Sequence, residues 1–400
     1  MPLAVYVLGV SAFALGTSEF MLSGLLPYVA DDLGVSIPQA GLLVSAFAIG
    51  MLVGAPVLAV GTLRLPRRAA MAGLLLVFAL GHGVGAVTSS YGVLFGSRVV
   101  SALACAGFWA VGAATAVGLV PADRRGRAMA VLVGGLTVAN IVGVPAGAFV
   151  GQHASWRVAF WGVGAVALAA VLGVLRFVPE GTGSARARPS LGTELTAYRN
   201  GELWLALATT ALASAGIFCA FSYLEPVLTE VAGLPESAVP GVLALFGIGA
   251  LAGITLGGRL ADSRPFAVLK WGIGTVVATL VVLAVLPRPA VLVPLVFLLG
   301  VAGFVISPAL NARVYGLAGD APTLAGATNV SAFNVGNMLG PWFGGLVIDA
   351  RAGFAAVGWA GAALGASALA LVWLSQTAGR PAAHSRPTED HVEKYGGSTR

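Results

Sequence analysis

A chain of 400 residues that is 58% hydrophobic, only 10% charged and carries 56 glycines has too little polar surface for two or three water-soluble domains. Its net charge of +6 does not point to nucleic acid, because the basic residues fall in short loops and form no patch interleaved with aromatics. The two cysteines, Cys105 and Cys219, lie inside apolar runs, which argues against a disulfide framework and for buried inert thiols.

Apolar runs of roughly 20 residues, the length needed to cross a ~30 Å hydrocarbon core, recur along nearly the whole chain. Backbone in lipid must close its own hydrogen bonds, so the runs predict helices. In chain order the spans are expected near 5–28, 39–62, 69–90, 93–118, 129–152, 157–178, 204–229, 238–258, 268–286, 291–315, 324–348 and 353–375. The first has no basic segment before it and no small-residue cleavage site before Glu19, which predicts a retained span. One set of loops collects Arg64, Arg67, Arg68, Arg124, Arg125, Arg127, Arg259, Arg264, Lys270 and others, whereas the opposite set holds only Arg157, Arg288 and Arg351. The positive-inside rule then places both termini in the cytoplasm. Arginine far outnumbers lysine in a sequence rich in Ala, Gly and Val, which suggests a bacterial gene and hence a multi-pass protein of the bacterial cytoplasmic (inner) membrane.

Pro27 pairs with Pro226, Gly34 with Gly233, Gly50 with Gly249, Gly54 with Gly253 and Pro66 with Pro265, all at an offset of 199 residues. The halves therefore read as two copies of one unit, the plan of rocker-type transporters with a substrate site between them. The expected domains are an amino-terminal six-helix bundle (1–179), a polar cytoplasmic linker (180–203), a carboxy-terminal six-helix bundle (204–375) and a disordered cytoplasmic tail (376–400).

Glu19 is the acid placed deep in a span, where an unpaired carboxylate costs several kcal/mol, so it is a functional candidate. Held between burial, which favours the neutral acid, and a cation, which favours the carboxylate, such a group can load and release a proton. Arg98, at similar depth on the fourth span, is the candidate cation, facing a cavity or snorkelling outward. Glu225, before Pro226, marks either the outer vestibule or a solvated helix end. In the loop after the eighth span, Asp262 with Arg259 and Arg264 can latch an inner gate, with Arg64 in the equivalent first loop; Leu63 takes the position of Asp262 there. Gly143, Pro145 and Gly147 on the fifth span permit close packing and a bend. Phe20, Trp109, Asn140, Tyr223, Asn334 and Asn337 are candidates to line a pocket for a neutral, partly aromatic solute; interhelical hydrogen bonding explains the asparagines equally well. Metal-ligand spacing, a nucleophile–base constellation and a phosphate loop are all absent, so neither a cofactor nor an enzymatic activity is expected.

Gly258–Pro265, Arg98 with its Ala/Gly-rich helix, Gly143-Val144-Pro145-Ala146-Gly147 and Gly16-Thr17-Ser18-Glu19-Phe20 together resemble the major facilitator superfamily from Val5 to about Leu374. The first-span signature is similar to that of its twelve-span drug:proton antiporters. The opening 27 residues, Phe221–Leu228 and Gly258–Phe266 look like bacterial chloramphenicol resistance exporters. That resemblance implies an all-α fold of two pseudo-symmetric halves and export of a small drug against protons. It also implies that Glu19 and Arg98 are the proton-coupling pair, and that Gly143, Pro145 and Gly147 form the antiporter motif. The expected partners are a small drug, protons and the lipid bilayer, with the chain a monomer. Exporters of sugars and nucleosides share the first-span signature, which leaves that substrate class open.

Overall fold

A computed structural model describes residues 1–62, 65–121, 124–180, 200–261, 264–318 and 322–378, and these form helices and turns with no strand. Twelve long helices make up most of the described residues. They are α1 (Leu3–Phe20), α2 (Ile37–Gly61), α3 (Arg67–Val87), α4 (Tyr91–Gly118), α5 (Arg125–His153), α6 (Trp156–Phe177), α7 (Gly201–Phe221), α8 (Val239–Ala261), α9 (Pro265–Val285), α10 (Pro289–Ala318), α11 (Pro322–Asp349) and α12 (Ala356–Ala378). Eleven are long and apolar enough to cross a membrane. The exception is α11, 28 residues long, whose apolar content is diluted by Asn329, Ser331, Asn334 and Asn337.

The repeat seen in the sequence has a structural counterpart. Helix α1 packs on α5 and α6 as α7 packs on α11 and α12; α2 packs on α4 as α8 does on α10; α3 meets α4 and α6 as α9 meets α10 and α12. The paired glycines perform paired tasks. Gly34 and Gly233 adopt φ of +64° and +71°, the left-handed conformation that ends a helix without Cβ strain. Gly50 and Gly54 let α2 touch the α4 backbone at Val99 and Leu103, and Gly249 and Gly253 let α8 touch α10 at Phe297 and Val301. Between the halves, α2 packs on α11 and α8 on α5.

Three expected boundaries move. The first span, expected at 5–28, ends as a helix at Phe20, continues as a 3₁₀ turn, Met21–Gly24, and resumes as a short helix, Leu26–Leu33, started by Pro27. The last residues of the predicted linker, 201–203, already belong to α7, because Asn200 Oδ1 accepts the Glu202 amide (3.0 Å) and caps that helix. Residues 376–378 of the predicted tail likewise belong to α12. Asp262 and Arg64, two of the four gating candidates, lie outside the described residues; Arg259 and Arg264 are exposed.

Candidate transport site

Helix α5 reaches its place beside α1 through the glycine and proline run. Pro145 has no amide hydrogen to give to the preceding turn, and the turn before it widens to π-helix over Ala139–Gly143, where the Val144 amide reaches the Ala139 carbonyl. On this widened turn Gly143 lies against the Thr17 side chain, and one turn further on Gly147 lies against Met21. A Leu at 143 has no room, so Gly143→Leu is expected to destabilise the protein by about 1–3 kcal/mol, read as a lowered thermal midpoint. Gly134→Ala, on the same helix with open space around it, should leave that midpoint unchanged.

Arg98 is 1% exposed, which excludes the snorkelling alternative. Its Nη1 donates to Ser18 Oγ (2.7 Å) and its Nη2 to the Ser18 carbonyl (2.9 Å), while the guanidinium lies 4.4 Å above the Phe47 ring. Ser18 Oγ is also 2.8 Å from His82 Nε2, and His82 Nδ1 is 2.8 Å from the Phe78 carbonyl. The carbonyl can only accept, so Nδ1 carries the proton and Nε2 accepts from the serine hydroxyl. The result is a directed chain, Arg98 to Ser18 to His82 to Phe78, that pins α1 just before its helix gives way to the 3₁₀ turn. Sequence reasoning singled out neither His82 nor Ser18 as a partner of Arg98. The available signal was the lone buried cation, which must find acceptors somewhere.

Glu19, the next residue, turns the other way. It lies within the electrostatic reach of Arg98, but no salt bridge joins them among the described residues; Nη1 and Nη2 of Arg98 are directed to Ser18, and its Nε is buried without a partner. Glu19 instead lines a cavity of about 630 Å³ between the two halves. Phe20, Trp109, Asn334 and Asn337 share the cavity wall, with Met51, Phe304 and Tyr315 further along. Glu19 is the charged side chain on this wall among the described residues. Asn337 Oδ1 accepts from Ser214 (2.7 Å), whereas Asn334 Oδ1 is buried without a partner.

Two pocket candidates stand elsewhere. Asn140, in the π turn, gives its amide to the Leu136 carbonyl (3.1 Å), and its backbone supports Gly247 of α8. Tyr223 is fully buried in the opposite end of the seam, donating to the Pro341 carbonyl (2.8 Å) and lying against Gly41. Asn329 serves the helix contacts, joining Thr210 and Asn311 at 3.1 and 2.9 Å.

The cavity lies toward the end of the bundle at which α1 begins and α12 ends; the other end is closed. There Tyr28 donates to Glu236 (2.6 Å), Gln152 donates to the Glu236 carbonyl (2.8 Å) and Ser45 donates to the Met338 carbonyl (2.8 Å), each bond joining one half to the other. Phe20 stacks on Phe218 across the same seam, with centroids 5.5 Å apart. Glu225 is 2% exposed with Oε2 unpaired, so the solvated helix end weighed from the sequence is corrected: residues 224–226 tuck under the closed seam. The pairing of Pro226 with Pro27 explains this, since both mark the turn that folds inward after a long helix.

A duplicated helical bundle, sealed at one end over a cavity with Glu19 on its wall, defines a polytopic membrane transporter. The chain belongs to the Major Facilitator Superfamily, whose sequence pattern matches residues 8–332. It is 44% identical over 380 residues to a chloramphenicol resistance protein of Streptomyces lividans, covering 94% of this chain and 97% of that one. It is 35% identical over 373 residues to the inner membrane transport protein YdhP of Escherichia coli K12, covering 92% and 94%. Its fold is similar to that of a bacterial homologue of the human lysosomal transporter Spinster in an inward-facing, occupied conformation, with a TM-score of 0.71, 17% identity, and 92% and 96% of the chains covered. Transporters of this family are not enzymes, and among the described residues no cluster of His, Cys, Asp or Glu could hold a metal ion.

Proposed function

We propose that this chain exports a small neutral drug, with chloramphenicol the leading substrate, in exchange for a proton. The supporting observation is Glu19, the one charged side chain that the described residues place on the wall of the cavity between the halves. A volume of about 630 Å³ falls within the about 300–1,000 Å³ typical of drug-sized sites. Aromatic faces from Phe20 and Trp109 and the unpaired oxygen of Asn334 suit a neutral molecule carrying hydroxyl or amide donors. The name of the Streptomyces relative adds weight to the substrate.

In this reading residues 1–179 and 201–378 are the two rocking domains, the segment between them their link and the residues after 378 a tail. Both termini lie in the cytoplasm, the cavity is inward-facing, and a monomer in the bacterial inner membrane suffices. Drug enters from the cytoplasm while Glu19 gives up its proton; the halves rock, the Tyr28–Glu236 seam opens, the drug leaves and a proton from outside returns to Glu19. Arg98 holds the Ser18 segment and biases the carboxyl without neutralising it directly. Gly143, Pro145 and Gly147 form the flexible partner surface of α1, and Asp262, Arg259, Arg264 and Arg64 form the gate at the cytoplasmic end. The exchange is proposed as one proton per drug.

A susceptibility and accumulation panel in cells expressing the chain tests this. Protection against chloramphenicol, abolished by a protonophore, is the expected outcome. Protection that survives the protonophore, or export of sugars or nucleosides without chloramphenicol, contradicts it.

A further inference from the structure

On the outside of the carboxy-terminal half, α9, α10 and α12 enclose a groove of about 840 Å³, larger than the central cavity and separate from it. At ~1.5 Å per residue, the stretch of α9 from Lys270 to Val282 spans about 18 Å, slightly more than half of a ~30 Å hydrocarbon core. The groove thus runs the depth of one leaflet. Its two ends differ in chemistry. At the end carrying the termini stand Lys270, Gln376 and Trp373, with Lys270 Nζ 4.3 Å above the Trp373 ring. Trp271 beside them is 79% exposed. Lysine and tryptophan at one depth mark the headgroup level of a membrane protein. Deeper in, Ala278, Val282, Leu295 and Leu298 line an apolar trough, and Gly274 leaves open space where a side chain would stand.

Two features call for a polar-headed ligand over plain hydrocarbon. Among the described residues, no acid forms a salt bridge with Lys270. Thr279, on the groove wall and 2% exposed, has its Oγ1 buried with no hydrogen-bond partner. Helical hydroxyls elsewhere in the chain fold back onto the carbonyl four residues earlier, as Thr229, Thr255 and Ser367 do; Thr279 does not.

We propose that this groove binds one phospholipid with an anionic headgroup from the leaflet at the termini end. The phosphate sits at Lys270 and Gln376, Thr275 lies beside the ester-bearing part of the molecule, and an acyl chain fills the trough along Ala278 and Val282. The site is independent of which substrate the transporter carries.

The test is native mass spectrometry of the purified full chain in detergent, titrated with phosphatidylglycerol, with phosphatidylcholine of the same chain length, and with glycerol phosphate. A single surface cation contributes ~1 kcal/mol toward an anionic lipid, so phosphatidylglycerol should be retained about fivefold better than phosphatidylcholine. Lys270→Gln should erase that preference and Lys270→Arg should keep it. Ala278→Trp should weaken both lipids by filling the trough. Equal retention of the two lipids, an unchanged preference in Lys270→Gln, or binding of glycerol phosphate as strong as that of the lipid overturns the proposal.

Discussion

Glu19→Gln should abolish uphill export and leave drug binding nearly intact. The amide keeps the size and hydrogen-bonding capacity of the protonated acid but carries no exchangeable charge, so the halves can still rock without coupling to the proton gradient. The expected size of the effect follows from exchanging one proton for one neutral molecule. A pH difference of one unit supplies about 1.4 kcal/mol, and a potential of ~100 mV adds about 2.3 kcal/mol because one net charge crosses. Together these sustain a drug gradient of about 500-fold. In proteoliposomes the variant should bring the gradient to unity while still exchanging drug for drug. A variant that still concentrates drug against its gradient removes Glu19 from the coupling step.

Arg98→Ala is expected to be nearly as severe, for a different reason. The substitution leaves the Ser18 carbonyl and hydroxyl buried without their donor. Hydrogen bonds from a charged group contribute about 1.5–3 kcal/mol each and an unsatisfied buried acceptor about 1–3 kcal/mol, so stability as well as transport should fall. Arg98→Lys should rescue poorly. A single ammonium cannot present the two parallel donors that reach Ser18 Oγ and O at 2.7 and 2.9 Å, nor lie flat on Phe47. Thermal midpoints and transport rates of the two variants, compared with Ser18→Ala, separate pinning of α1 from a direct effect on Glu19. If Arg98→Lys behaves as wild type, the forked contact is dispensable.

Much of the architecture was legible because lipid leaves the backbone few options. Apolar runs of span length must be helices, and Gly and Pro repeating at one offset must reflect duplicated geometry; Gly34 and Gly233 carry the same left-handed cap. Glu19 was legible because an unpaired carboxylate in such a run costs several kcal/mol, which makes a functional role the first reading and a structural, hydrogen-bonded carboxyl the second. The partners of Arg98 were not. An ion pair with Glu19 was the economical guess, but the preceding residue offers two oxygens and takes the guanidinium. From the sequence Asn334 and Asn337 are pocket candidates with interhelical hydrogen bonding as the equal alternative, and both descriptions hold for Asn337, which lines the cavity and accepts from Ser214, while Asn329 serves the helix contact alone. Tyr223 and Glu225 were unreadable in detail because their burial depends on which end of the bundle is closed, a property of the assembled halves and not of any local pattern.

The claim on which the functional account depends, that drug and proton compete at the Glu19 carboxyl, is tested most directly by proton release on substrate binding. Chloramphenicol added to the detergent-solubilised protein in weakly buffered solution with a pH indicator should release protons from the wild type, and Glu19→Gln should release none while still binding the drug. Equal release from both proteins, or none from a wild type that demonstrably binds, would contradict it.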